Sequence, residues 1–268
     1  MKQNYTLFIL VLAIQILILS CKKDGEIIPA PSFGQFSVRL TSSSGLAATL
    51  LQVDGVVKDT IDADVINLHL ETGKRQISII DLQNKKILDT TVTIDLKNPV
   101  SLSCFYNGTT VLVDNLDPAL KPQKDSLLIR FVTTDKTLPD LMDIQISLYD
   151  FGGTIIPLAN KTLKGIRKDK FSTYIQLPHP NVIDPGFESN VMFYVIEGFD
   201  ATAGAGHKKV MSIEEFNCSY LDYSGDLSFM WVPNNIISFG IGPVPADGST
   251  TLRSPQLIFQ RALNNQDK

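Results

Sequence analysis

TLLQVDGVV, residues 49–57, sets Asp54-Gly55 between two apolar runs. A two-residue hairpin turn needs positive φ at both central positions. Asp tolerates that conformation and Gly adopts it freely, so the stretch predicts a β-hairpin. Upstream, Phe36, Val38 and Leu40 alternate with Ser37 and Arg39, the period of a half-buried strand. Downstream the same period returns in Ile66, Leu68 and Leu70, in Ile77 to Leu82, in Leu88 to Leu96 and in Val100 to Tyr106. Asn107-Gly108 then turns the chain into Thr110 to Val113. About seven short strands broken by regular turn signals predict a β-sandwich.

Leu116 to Lys124 (LDPALKPQK) holds two prolines and no periodicity, and reads as a linker. Alternation restarts at Leu127, Ile129 and Phe131. It continues through Ile144 to Tyr149, Ile155 to Leu158, Phe171 to Leu177, Val191 to Ile196, Ile236 to Ile241 and Leu257 to Gln260, with a turn at Phe151-Gly152-Gly153. Val191 to Ile196 (VMFYVI) is apolar on both faces, which suits a strand central in its sheet. Fourteen prolines and seventeen glycines break any long helical pattern. One short helix is expected at Ser212-Ile213-Glu214-Glu215, which matches the capping box. Phe36 to Leu40 and Leu127 to Phe131 echo each other, each with an arginine fourth, so the halves read as two related sandwiches. The expected fold class is therefore all-β, with two antiparallel β-sandwich domains, 35–116 and 126–263, joined by a linker at 117–125.

The chain opens with Lys2, then an apolar run from Leu7 to Leu19, then Ser20-Cys21 and the charged Lys22-Lys23-Asp24. The run is short for a bilayer span and the right size for a secretion signal. Here the chain resembles bacterial lipoproteins, whose signal ends in a lipobox. The resemblance makes 1–20 a signal peptide, Cys21 the acylated first residue of the mature chain, and its lipid the tie to the membrane. Residues 21–34, charged and then Pro-rich, read as a tether.

Composition narrows the partners. Net charge is −4, with 24 Lys+Arg against 28 Asp+Glu and no basic stripe, which argues against nucleic acid. No later apolar run approaches membrane-spanning length, so the body reads as soluble. Besides Cys21 there are Cys104, which shares a face with Val100 and Leu102, and Cys218; a disulfide between them and a buried thiol at Cys104 are both open readings.

Catalysis needs groups that converge, and none are evident. His69, His179 and His207 have no Cys, His or Glu at zinc-ligand spacing, so no metal site is expected. There is no Gly-x-Ser-x-Gly elbow, no phosphate-binding Gly-Lys-Ser/Thr and no dinucleotide fingerprint, so no cofactor is expected. Asp62-Ala63-Asp64 lacks the Gly and Glu of a calcium loop. An enzyme would require Asp200, Asp222 and Asp226 to meet in a cleft. The stretch YLDYSGDLSFMW, residues 220–231, is the candidate contact surface. Tyr220, Tyr223 and Trp231 could stack on sugar rings while Asp222 and Asp226 bond their hydroxyls; the alternative is that Leu227, Phe229 and Trp231 form one buried sheet face.

The first half is also similar to a family of unknown-function β-sandwich domains in lipoproteins of Bacteroidetes. The likeness rests on Val38-Arg39-Leu40, Val53-Asp54-Gly55, Gly73 and Tyr106 with Gly108; the second half carries only Ile129-Arg130-Phe131-Val132. It implies an immunoglobulin-like or transthyretin-like sandwich with a surface or periplasmic role, and supplies no catalytic residues. Asp-Thr-Ile at Thr60, Asp-Thr-Thr at Thr90 and Asp-Ser-Leu at Ser126 resemble the O-glycosylation signal of exported proteins from that group. The expectation is a lipid-anchored, non-enzymatic binding or scaffold protein of the outer membrane, facing periplasm or cell surface, with a glycan or envelope protein as partner. The alternative is a fimbrial-type or adhesin subunit assembled by strand exchange, with Arg39 as a maturation site.

Overall fold

The computed structural model describes residues 30–42, 48–62, 65–108, 110–115, 117, 119–124, 126–150, 155–178, 192–217, 235–242 and 251–262. Among them every regular element is a strand. The first eight are β1 (Phe33–Ser42), β2 (Thr49–Val53), β3 (Val56–Ile61), β4 (Val65–Glu71), β5 (Gly73–Ile80), β6 (Lys86–Ile94), β7 (Val100–Tyr106) and β8 (Val111–Val113). The next eight are β9 (Ser126–Thr133), β10 (Met142–Asp150), β11 (Ile155–Ile166), β12 (Ile175–Pro178), β13 (Met192–Asp200), β14 (Lys209–Asn217), β15 (Asn235–Ile241) and β16 (Pro255–Ala262). The chain is all-β.

The strands form four sheets of four. β4-β1-β7-β8 and β3-β2-β5-β6 make one pair, and β12-β9-β15-β16 and β11-β10-β13-β14 make the other. The two pairs share one strand order, each strand of the first matching the strand eight places later. Alternation explains each core. Phe36, Val38 and Leu40 of β1 point inward with Leu102 and Cys104 of β7, and meet Leu51, Val53, Ile77, Ile79 and Ile94 of the facing sheet. In the second pair Leu127, Ile129 and Phe131 meet Ile144, Ile146, Tyr194 and Ile196. Each large aliphatic side chain removed from water contributes about 1.5–3 kcal/mol. β13 lies between β10 and β14, as its apolar sequence suggested.

The hairpin forms where TLLQVDGVV placed it. Val53 pairs with Val56, and Asp54 and Gly55 take φ of 51° and 80°. The Asp54 carboxylate accepts from the Gln76 amide at 2.9 Å and from Arg75 at 3.2 Å, pinning the turn to β5. The Gln76 amide, despite some opposing burial, holds this carboxyl below its ordinary range.

Three expectations change. The Ser212–Glu215 stretch is not a helix but part of β14, because Met211, Ile213 and Phe216 sink into the second core and that burial outweighs a local cap. Phe171 to Tyr174 is not strand; β12 starts at Ile175, and Phe171 and Tyr174 lie over Arg130 instead. The sheets are not wholly antiparallel. β1 runs parallel to β7, and β9 parallel to β15, because the chain leaves to the facing sheet between these strands and re-enters in the same direction.

The sheet pairs meet at Phe105 and Leu112 of the first, which pack with Val132 and with Phe171, Ile258 and Phe259 of the second. The Asn107 side-chain amide donates to the Lys168 carbonyl at 2.6 Å.

Candidate functional site

β1, β4 and β7 send alternate side chains away from the core. On that outer face β1 carries Gln35, Ser37 and Arg39, β4 carries Asn67 and His69, and β7 carries Ser101 and Ser103. Register sets them in rows: Gln35 beside His69, Ser37 between Asn67 and Ser101, and Arg39 between Val65 and Ser103. Cross-strand neighbours lie about 4.5–5.5 Å apart, so the rows form one continuous surface, polar except for Val65. Gln35, Ser37, Asn67, His69, Pro99 and Val100 line a shallow groove of about 200 Å³ on it. Amides, hydroxyls and an imidazole offer both donors and acceptors, an inventory that can bind a polar ligand. Farther along β7 the same face runs into Phe105, which the second sheet pair covers.

The equivalent face of the second pair is closed. Every residue of β9 is buried, where β1 alternates. Arg130, 5 % exposed in its side chain, donates from Nε to Ser238 Oγ at 2.7 Å, from Nη2 to Asp114 Oδ1 at 2.8 Å and from Nη1 to Asn115 Oδ1 at 3.3 Å. Its guanidinium carbon lies 4.1 Å from the Phe171 ring centre and 4.8 Å from that of Tyr174. Burial dominates both ions. It pushes the Asp114 carboxyl up and the Arg130 guanidinium down, against their mutual attraction. This cluster ties the end of β8 to β9 across the two sheet pairs; it is not open to a ligand.

A second groove, of about 320 Å³, lies beside Ile213, Glu214, Leu252, Arg253 and Pro255. The Arg253 guanidinium there is committed to Asp135 at 2.7 Å, with both side chains at most 5 % exposed. Burial pushes the Asp135 carboxyl up, but the Thr137 amide and hydroxyl and Arg253 outweigh it and hold it low. The open face of β4-β1-β7 is therefore the better candidate.

No family model matches the chain, and no curated protein matches it. Solved structures to which the chain is similar include three. One is a "putative adhesin" from Bacteroides ovatus, 9 % identical, with TM-score 0.24 over 87 % of this chain and 96 % of that one. Another is a "putative cell adhesion protein" from Parabacteroides distasonis, 12 % identical, with TM-score 0.23 over 85 % and 96 %. The third is the Bacillus anthracis TIE protein, 14 % identical, with TM-score 0.21 over 69 % of this chain and 31 % of that one.

Several residues singled out in the sequence lie outside the described residues: Cys21, His179, Cys218, and Tyr220, Asp222, Tyr223, Asp226 and Trp231. His69 is exposed on the candidate face. His207 stacks on Phe199, ring centres 5.0 Å apart, and Asp200 accepts from the Thr202 amide at 2.8 Å. Among the described residues no group of three or more His, Cys, Asp or Glu could hold a metal ion. Cys104 is fully buried, which pushes its thiol up to about 12. Of the three acceptor triplets, Thr60 is exposed on β3 and Thr90 half-buried on β6, while Ser126 is 3 % exposed with its hydroxyl donating to the Lys124 carbonyl.

Sequence reasoning set Ser37 and Arg39 opposite the apolar face of their strand but did not join them to Asn67, His69, Ser101 and Ser103. The alternation was visible in each strand. The parallel pairing of β1 with β7, across more than sixty intervening residues, was not.

Proposed function

We propose that this chain is an exported, non-enzymatic binding or scaffold protein of the bacterial cell envelope, anchored by a lipid on Cys21. The lipobox-like leader supports the anchor. In this reading 21–34 is the tether, 35–116 and 126–263 are the two sandwich domains, and 117–125 joins them, with the outer membrane as the site and periplasm or cell surface as the aspect. Its partner is a glycan or an envelope protein. The observation that carries the binding role is the open polar face of β4-β1-β7, set against the closed equivalent face around Arg130. Rigid sheets present such a face without reorganisation, which lowers the entropic cost of binding.

Surface plasmon resonance against sacculi, outer-membrane vesicles and envelope polysaccharide tests it. Binding to one fraction is expected, and its loss in the double variant Ser37→Lys, Asn67→Lys. Binding to no fraction, or binding untouched by the double variant, overturns the reading. Palmitate labelling abolished by Cys21→Ala tests the anchor.

One observation favours a strand-exchanging subunit as a second reading. β3 is a sheet edge, with Val56 56 % and Val57 49 % exposed. Lys58 and Asp59 farther along the same edge are charges of the kind that discourage pairing. Size exclusion after limited trypsin digestion separates the two; a stable monomer removes the second reading.

A further inference from the structure

Exposed apolar side chains gather at one end of the first sheet pair. Phe33, the first residue of β1, is 51 % exposed, and Leu96, two residues past β6, is 61 % exposed. Val56 and Val57, just past the Asp54-Gly55 tip, are exposed too. Main-chain and ionic contacts join these places. Gly34 lies so close to the Asp95 carbonyl oxygen that Phe33 and Leu96 flank one point of contact. The Thr72 amide donates to the Ser32 carbonyl at 2.8 Å, and Glu71 pairs with Phe33 across β4 and β1. Arg75 bridges Glu71 at 2.6 Å and Asp54 at 3.2 Å, which brings the hairpin tip to the same end. The junction with the second sheet pair, at Phe105, lies at the opposite end of β7.

The charges at this end differ in their freedom. Asp54 and Glu71 are held by Arg75, and Asp95 accepts from the Lys97 and Asn98 amides at 2.7 and 3.1 Å. Lys58, Lys74 and Lys97 are exposed and make no ion pair among the described residues. Apolar side chains flanked by free lysines suit a bilayer interface, where the apolar groups pass the headgroups and the ammonium groups meet lipid phosphate. Position points the same way. Phe33 stands twelve residues after Cys21, so this end lies within about 40 Å of the anchor even along a fully extended chain. So short a tether makes contact with the bilayer intramolecular, at an effective concentration of about a millimolar. A few side chains then suffice where a free protein would need many. β5 runs away from this end at about 3.3 Å per residue, which sets the 81–85 turn about 25 Å farther off.

Resting on the reading of Cys21 as the lipid anchor, we infer that this end of the first sheet pair is a membrane-contact surface. Phe33, Val56 and Leu96 enter the interface of the phospholipid bilayer that holds the anchor, and Lys58, Lys74 and Lys97 meet its anionic headgroups. The tether therefore does not hold the body clear of the membrane. The first sheet pair stands on it, with the 81–85 turn and the junction at Phe105 on the far side. A second copy of this chain is a poorer occupant, because a two-fold contact would set the same unpaired lysines against one another.

The test uses the acylated mature chain reconstituted into vesicles of phosphatidylethanolamine and phosphatidylglycerol, part of the lipid dibrominated in its acyl chains. Bromine quenches a tryptophan that reaches the acyl region. Leu96→Trp reports on the proposed contact, and Leu82→Trp, exposed in the turn between β5 and β6, reports on the far end. Each signal is the emission added over that of the parent chain, which keeps Trp231. Quenching is expected for Leu96→Trp and not for Leu82→Trp. Adding Lys74→Glu and Lys97→Glu to Leu96→Trp, both exposed changes that leave the melting temperature unmoved, should weaken the quenching about twofold or more. Equal quenching at the two ends overturns the inference, as does quenching indifferent to the lysine changes. A concentration-dependent dimer in detergent, dissolved by Leu96→Glu, together with an unquenched Leu96→Trp would point to self-association and overturn it as well. Protein that carries palmitate and floats with the vesicles while Leu96→Trp stays unquenched refutes this inference alone. Protein that takes no palmitate and does not float refutes the anchor, and the inference falls with it.

Discussion

A guanidinium removed from water is tolerated only when its charge and its donors are met. Arg130 satisfies this through Asp114, Asn115 and Ser238, whereas Arg39, its counterpart, stays in solvent. The same substitution should therefore read very differently at the two sites. Arg130→Met is expected to cost about 2–4 kcal/mol in urea unfolding, at the lower side because Asp114 is partly exposed. Arg39→Met should fall within about 0.5 kcal/mol of wild type. A second residue-scale expectation concerns acid. Hydrogen bonds from Lys86, Gln76 and Ser78 hold the Asp89 carboxyl down at about 2, from an ordinary 3.8. A depressed carboxylate contributes stability that is whole above its unfolded value and is lost as pH falls through the folded one, here between about 4 and about 2. Carbon NMR should place the Asp89 midpoint near 2 in wild type and visibly higher in Lys86→Met.

At the scale of the element, two glycines are required for different reasons. Gly55 sits at φ +80° with open space around it, so a side chain there meets only backbone strain. Gly34 is the second residue of β1, and a Cβ on it would stand 2.1 Å from the Asp95 carbonyl oxygen, so main chain must move. Gly55→Ala is expected to cost about 1–2 kcal/mol and Gly34→Ala about 1–3 kcal/mol. Thermal melts check both, and Gly34→Ala should also perturb amide shifts along the 94–98 turn. The hairpin at Asp54-Gly55 was legible because its cause is local: two positions that need positive φ, filled by residues that accept it. β14 was misread for the converse reason. Ser212 to Glu215 carries a helical cap signal, but Met211, Ile213 and Phe216 gain more from the core than a cap gives, and only the fold reveals that core.

At the scale of the molecule, two sheet pairs of one strand order meet through a small apolar cluster and a few polar contacts. Phe105, 1 % exposed, is its largest side chain from the first pair, and Asn107 ties the same end to Lys168. Phe105→Ala is expected to cost about 3–5 kcal/mol. It should also speed tryptic cleavage after Lys124, because loss of the apolar cluster loosens the junction between the sheet pairs that the linker spans. Urea unfolding and a timed trypsin digest read the two effects; an unchanged cleavage rate would mean that the cluster does not govern access to the linker. Most strand positions, the Asp-Gly turn, the inward side of Cys104 and the echo between Phe36–Leu40 and Leu127–Phe131 were determined by the sequence itself. Each follows from a period of two or from one residue's φ. Which strands are neighbours, that Arg39 stays open while Arg130 is closed, and that Gln35, Asn67, His69 and Ser101 share one surface were decided only by tertiary structure. Pairing across more than sixty residues is chosen by packing of the whole core, and no local pattern encodes it.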